Sequence, residues 1–323
     1  MHLTSRQLIT ITNIHPCLFN IFNNKIRPLI RQSSLRMFKL DDLVSEVLLY
    51  GIAIPILIGI AVTLALRGCF GATFGKRLAG LSVGVAFLIG YILLFGWADF
   101  PARSSGQKVV YLVLAGLVAG TVLDLIDRKQ MGGFILKFVW PAAIIAWLGW
   151  PQLGNLNAES TLTFGLLYLG AVIVFDRLNT PGERHSNLSV ALMTAAIGAS
   201  FITFIGASGS LSQKFAIVVA AGGGFLLCNW PTSRYPFSAA AAAGGGGAFV
   251  ALATSVVLFS EVHLPSFAIL ALSFFAPSLS HILPAQHSDA MGPVIVGMVS
   301  AIPVVAGVGL ALYIAGDSFE LPF

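Results

Sequence analysis

Val47-Leu-Leu-Tyr-Gly-Ile-Ala-Ile-Pro-Ile-Leu-Ile-Gly-Ile-Ala-Val-Thr-Leu-Ala-Leu66 holds no charged residue and shows no strict alternation of polar and apolar positions. A helix needs about 20 predominantly apolar residues to cross the hydrocarbon core of a bilayer. The run is therefore read as a membrane-spanning helix, since a barrel strand alternates residue by residue and a helix satisfies its own backbone in lipid. The same reading recurs along the chain. Spans are expected at about 46–66, 79–97, 109–126, 133–149, 161–175, 188–207, 214–228, 238–260, 264–282 and 292–316, with 161–175 and 214–228 the shortest.

Composition agrees. The 323 residues are 57% hydrophobic and 10% charged, with a mean hydropathy of +0.89, whereas soluble domains carry about a quarter charged residues. The expected fold is an all-α integral membrane protein, a bundle of about ten transmembrane helices. One polytopic domain occupies 46–316. It is flanked by a basic tail, 1–45, and a short C-terminal tail, 317–323. The tail carries Arg6, Lys25, Arg27, Arg31, Arg36 and Lys39 before its first acid, Asp41. That pattern fits a transit peptide, or an extension upstream of a start at Met37, which is the reading preferred here. The net charge of +5 is scattered through loops and gives no nucleic-acid signature. Cys17, Cys69 and Cys228 lack the spacing of metal ligands.

The connections alternate. Loops after odd-numbered spans, called odd loops below, hold Arg67, Lys76, Arg77, Arg128, Lys129, Arg177, Arg184 and Arg234, with Lys137 just inside a helix. Internal even loops, on the opposite side, hold Arg103, Lys108 and Lys214. By the excess of Lys and Arg, the odd loops are expected to be cytoplasmic, with both termini outward. The basic tail weighs against that orientation if it belongs to the mature protein. Trp140, Trp147, Trp150 and Trp230 lie near expected span ends, where an interfacial belt is the default. The Ala- and Gly-dense stretches Ala220–Gly224 and Ala239–Gly247 suit close helix packing. Four consecutive glycines also allow a local opening beside a ligand.

Chemistry-bearing residues crowd into the odd loops. Asp124 and Asp127 lie one helical turn apart, on one face. They are candidate catalytic residues, with Asp124 a candidate Mg²⁺ ligand, because Mg²⁺ takes hard oxygen ligands. Alternatively these acids pair with Arg128, Lys129 or Lys137. Asp176, Glu183, His185 and Asn187 share the next odd loop, which reads either as a site or as a solvated connector. Asn229 and Arg234 follow, then His281, His287 and Asp289, whose spacing is not that of a zinc site. Lys137, Asn229, Arg234, His281 and His287 are the candidate substrate-binding residues. No GxxxxGK[ST], HExxH, CxxC or GxSxG motif occurs.

Several of these stretches, in order, resemble the polyprenyl-phosphate N-acetylhexosamine-1-phosphate transferase family, which includes the phospho-N-acetylmuramoyl-pentapeptide transferases. Gly75-Lys-Arg-Leu-Ala-Gly-Leu-Ser82 is similar to the family's Pro-Arg-x-Gly-Gly-Leu before its second span. Gly120-Thr-Val-Leu-Asp-Leu125 is similar to its Gly-x-x-Asp-Asp motif. Gly132-Gly-Phe-Ile-Leu-Lys137 resembles the basic start of its fourth span, and Gly224-Phe-Leu-Leu-Cys-Asn-Trp-Pro-Thr-Ser-Arg-Tyr-Pro-Phe237 the stretch before its eighth. His281 to His287 corresponds to its histidine-bearing loop. The resemblance spans about 46–316. It implies a divergent member, in a bacterial inner membrane, acting at the cytoplasmic face on a polyprenyl phosphate and a UDP-sugar with Mg²⁺. Asp124 and Asp127 would serve the metal, while Arg234, Lys137 and His281 or His287 would meet phosphates.

The sequence departs from the family where its acids should be. Leu125 replaces the second aspartate of the pair, and Ser238-Ala-Ala-Ala-Ala-Ala243 replaces Met-Gly-Asp-x-Gly-Ser. The Asn-x-x-Asp-Gly-x-Asp-Gly-Leu loop before the sixth span is missing. Such a protein can be catalytically impaired and still bind a lipid carrier. The alternative class is a non-enzymatic membrane protein, either a transporter or a structural subunit of a complex. The near absence of mid-span acids argues against ion-coupled transport. Asp124 with Arg128 also resembles an aspartyl membrane peptidase, but no Gly-x-Gly-Asp supplies a second aspartate. A homo-oligomer or membrane complex is compatible with the helix faces.

Overall fold

The computed structural model describes residues 45–126, 129–154, 157–180, 183–206, 208–260, 264–280 and 290–316. Among them every regular element is helical. Eight helices are long and apolar enough to cross a membrane: α1 (Ser45–Gly71), α3 (Ser105–Ile126), α4 (Gly132–Leu153), α5 (Ala158–Leu178), α6 (His185–Gly206), α7 (Gly209–Cys228), α8 (Ala239–Phe259) and α10 (Met291–Ala315). Two shorter apolar helices, α2 (Leu81–Phe95) and α9 (Leu264–Leu279), fill the second and ninth places. The positions match the spans read from the sequence. α5 and α7 are longer than their apolar runs. α5 starts on a reciprocal cap in which Asn157 Oδ1 accepts from the Ser160 N–H and Ser160 Oγ accepts from the Asn157 N–H. α7 starts on Ser208, whose Oγ accepts from the Ser210 N–H.

Outward faces are apolar. Leu57 and Leu64 of α1, Leu162 and Leu169 of α5, Phe201 and Phe204 of α6, and Met298, Ile302 and Val305 of α10 are all exposed. So large an apolar surface is expected on a protein surrounded by lipid and not on a soluble one. The chain is an integral membrane protein.

α8 is the centre. Within its most apolar stretch 78% is buried inside the protein, against 22% for α1, 17% for α5 and 22% for α10. Glycines of α3 facing it explain how a neighbour comes so close. A Cβ on Gly120 of α3 would lie 2.5 Å from Ala240 Cα and 2.6 Å from Ala239 O. One on Gly116 would lie 2.9 Å from the Ala243 carbonyl carbon and 2.9 Å from Trp140 Cζ2. Backbone therefore packs on backbone, as small residues permit in membranes, and the packing reading of the Ala/Gly run is the one realised. Trp140 thereby departs from the expected interfacial belt. It packs into the bundle against α3 and α8, and its Nε1 is buried with no partner, while Trp147, Trp150 and Trp230 are exposed.

Among the described residues three turns are π-helical: Leu49–Ala53, Ile135–Val139 and Ala242–Gly246. The first two run up to Pro55 and Pro141. Proline removes an N–H and clashes with the carbonyl four residues earlier, so a widened turn just before it is the local accommodation. α1 runs on as helix to Leu78 past a sharp bend at Gly71, whose φ of 75° is a left-handed conformation that glycine adopts without strain.

Polar contacts sort the connections into two ends. At one end Asp124 of α3 meets the start of α8, Lys137 of α4 meets Asp176 of α5, and Arg177 of α5 meets Ser278 of α9. Trp230 Nε1 donates to Ala290 O just before α10, and Arg67 of α1 donates to the Tyr235 hydroxyl. At the other end Lys108 Nζ donates to Trp147 O, Tyr111 Oη to Ala98 O and Gln152 Nε2 to Leu258 O. Among the described residues, those flanking the odd loops thus share one end and those flanking the even loops the other.

Candidate functional site

The odd-loop end has two polar patches. The first surrounds the start of α8. Both carboxylate oxygens of Asp124 are engaged: Oδ1 accepts from Ala239 N–H at 2.9 Å and Oδ2 from Ala240 N–H at 3.0 Å. The first N–H groups of a helix have no intrahelical acceptor and carry the positive end of its dipole. Ser238 precedes the helix but makes no side-chain cap, so α3 supplies one across the bundle. Arg77 lies near enough to act on this carboxylate electrostatically. Of the pairings expected for Asp124, the one with Lys137 is not formed, because Lys137 turns to Asp176.

Asn229 shapes the loop that leads there. It is buried; its Oδ1 accepts from Arg234 N–H at 2.9 Å and from Tyr235 N–H at 2.7 Å, and its Nδ2 donates to Phe225 O at 3.4 Å. The Trp230–Pro231 peptide is cis. Tyr235 is buried, and its hydroxyl accepts from Arg67 Nη1 at 3.1 Å, with the guanidinium 6.0 Å from the ring centroid. Arg234 is exposed, its Nε donating to Thr232 Oγ1 at 3.2 Å. Asn229 is thus a loop-forming residue, and Arg234 is the outward cation.

The second patch joins α4, α5, α6, α9 and α10. Lys137 Nζ stands 2.8 Å from Asp176 Oδ1, both side chains being partly exposed. An ion pair in that setting is worth about 0–1 kcal/mol. Arg177 stacks its guanidinium 4.1 Å from the Phe275 ring centroid and donates from Nη1 to Ser278 Oγ at 3.4 Å. Ser278 Oγ in turn donates to Glu183 Oε1 at 3.2 Å. Glu183 is only 8% exposed, so the 5–6 connection is not a solvated loop around it.

Beside these, Asn187 is fully buried, and neither its Oδ1 nor its Nδ2 has a partner; His185 Nδ1 is likewise buried and unpartnered. A Cβ built on Gly292, in the first turn of α10, would lie 3.1 Å from Arg184 Nη1 and 3.4 Å from Asn187 Oδ1. An unsatisfied buried amide costs about 1–3 kcal/mol, so groups of this kind mark places where a further polar partner is expected.

Of the residues singled out in the sequence, Asp124, Asn229 and Arg234 fall around the first patch and Lys137 in the second. Asp127, His281, His287 and Asp289 lie outside the described residues. Among the described residues no group of three or more His, Cys, Asp or Glu stands close enough to share a metal ion. Arg67, Ser278 and the burial of Asn187 had no local signal, because each depends on a contact between distant helices. Neither a protein-family model nor a curated protein matches this sequence.

Proposed function

We propose that this chain is a divergent sugar-1-phosphate transferase-like protein whose odd-loop end engages a polyprenyl phosphate and a UDP-sugar. The observation that carries the reading is the gathering of the described residues flanking the odd loops into one polar end. Its cationic side chains include Arg67, Lys137, Arg177 and Arg234, and it holds the unpartnered Asn187 amide. Bringing two phosphorylated substrates together concentrates negative charge, and fixed cations and amide donors are what make that tolerable. Lys137 and Arg234 would meet phosphates, and Asn187 would orient a polar group of the donor.

Asp124 would hold Mg²⁺ only through lone pairs left over from its two N–H partners. A carboxylate offers about four such positions, so two remain. When bound, the ion would neutralise phosphate charge. In this reading Asp124 has a structural duty first.

A second reading is favoured by that same duty: a non-enzymatic membrane protein, such as a structural subunit of a complex, that keeps the architecture and binds a lipid phosphate without turnover. Purified protein incubated with Mg²⁺, undecaprenyl phosphate and a panel of UDP-sugars separates the two. The transferase reading expects UMP release with at least one donor, abolished in Lys137→Ala/Arg177→Ala. UMP at background level for every donor would leave the non-enzymatic reading.

The reading also places the odd loops in the cytoplasm of a bacterial cell, on the Lys and Arg excess. Thr232 is exposed on an odd loop. With Cys17, Cys69 and Cys228 replaced, Thr232→Cys is expected to react with a membrane-impermeant maleimide in inverted vesicles only. Labelling confined to right-side-out vesicles would reverse the orientation.

A further inference from the structure

Lys214 lies in the second turn of α7, within the membrane span, and is only 8% exposed. Its Nζ sits 4.9 Å from the Phe95 ring centroid and 5.5 Å from that of Tyr91. Tyr91 Oη is committed to Gly106 O at 3.1 Å. A Cβ on Gly106 would fall 2.7 Å from Nζ, so the bare glycine is what leaves the ammonium its seat. Among the described residues no carboxylate and no hydrogen-bond acceptor engages Nζ. The charged groups of the neighbouring 96–108 segment are otherwise occupied or turned outward. Asp99 is exposed and accepts from Gln107, Arg103 is exposed, and Lys108 donates to Trp147 O.

A buried ammonium with empty donors is unfavourable, and aromatic faces restore only part of its lost hydration. Its height in the bundle narrows the missing partner. Helical side chains lean toward the helix N-terminus, and Lys214 reaches the level of the last residue of α2 and the first turn of α3. Trp97, Phe100 and Trp150, all exposed, ring this same even-loop end, and exposed aromatic rings of this kind mark the lipid headgroup level.

We infer that Lys214 is a binding site for the phosphate of an anionic membrane lipid, taken from the leaflet at the even-loop end, opposite the polar odd-loop end. Phe95 and Tyr91 cradle the ammonium, and the lipid phosphate supplies the negative charge that the protein withholds. Inorganic phosphate has the same chemistry, so the test compares both sources. The site is independent of any transferase activity.

Full-length protein in a neutral detergent is titrated with phosphatidylglycerol, phosphatidylcholine and inorganic phosphate. Bound lipid is counted by native mass spectrometry and thermal stability is followed in parallel. Phosphatidylglycerol is expected to bind in preference to phosphatidylcholine, and Lys214→Met to weaken that binding about tenfold, the loss of one charge-assisted contact. Lys214→Arg, which keeps the charge, should retain most of the preference, and Gly106→Ala, which fills the seat, should reduce it. The last two stand in if Lys214→Met does not fold. Undiminished phosphatidylglycerol binding in Lys214→Met or Gly106→Ala would overturn the assignment. So would stabilisation by inorganic phosphate with no preference between the lipids.

Discussion

Gly120→Ala is expected to destabilise the protein by about 3 kcal/mol, the upper range for overpacking a well-filled core, with Gly116→Ala close behind. The added methyl on Gly120 would meet Ala240 Cα at 2.5 Å and Ala239 O at 2.6 Å. Both are backbone atoms, so no rotamer change relieves the contact and α3 must move away from α8. The movement would also draw the Ala239 and Ala240 N–H groups off Asp124, one turn along α3. Gly165→Ala in α5 is the control, because no atom lies within 4 Å of its added Cβ. There alanine should be neutral or stabilising by up to about 1 kcal/mol, the helix-propensity difference. Thermal unfolding in detergent reads both. Equal stability of the Gly120 and Gly165 variants would show that α3 and α8 are not in backbone contact.

Asp124→Ala is expected to cost about 2–3 kcal/mol, a charge-assisted hydrogen-bonded cap being worth more than a neutral one. It strands two N–H groups at the start of the most buried helix. Asp124→Asn should recover part of this. Its amide oxygen can serve one N–H, but its NH₂ then faces the other donor to donor. Amide hydrogen exchange at Ala239 and Ala240 should accelerate in both variants, most in Asp124→Ala. Unchanged exchange and stability would remove the capping role and return Asp124 to candidate ligand.

The spans were legible because twenty apolar residues in a row have few other fates. The ends were less so: α5 begins on Asn157 and Ser160, a polar pair that hydropathy discards but that forms a reciprocal cap. The alternation of the odd loops survives as a shared end. Partnerships were the illegible part. Lys137 lies nearer in sequence to Asp124, yet bonds Asp176, because α4 packs beside the end of α5. Asp124 looked like a metal ligand or half of an ion pair, and its actual partners are N–H donors 115 and 116 residues away. Asn187 looked like a loop amide, and it is buried with Gly292 of α10 close beside it.

The central position of α8 bears on the order in which the bundle is assembled. A helix that opens with five alanines and four glycines is poorly suited to stand alone in lipid, because each glycine costs about 1 kcal/mol of helix propensity. The residues that receive those glycines, Leu117, Val83, Leu178, Trp140 and Leu192, belong to α2 through α6, which leave the ribosome before α8. The slot is therefore complete when its occupant is synthesised. Biogenesis should be sensitive to truncation or reordering of those earlier segments, and α8 would fare worst of all the helices when expressed without them.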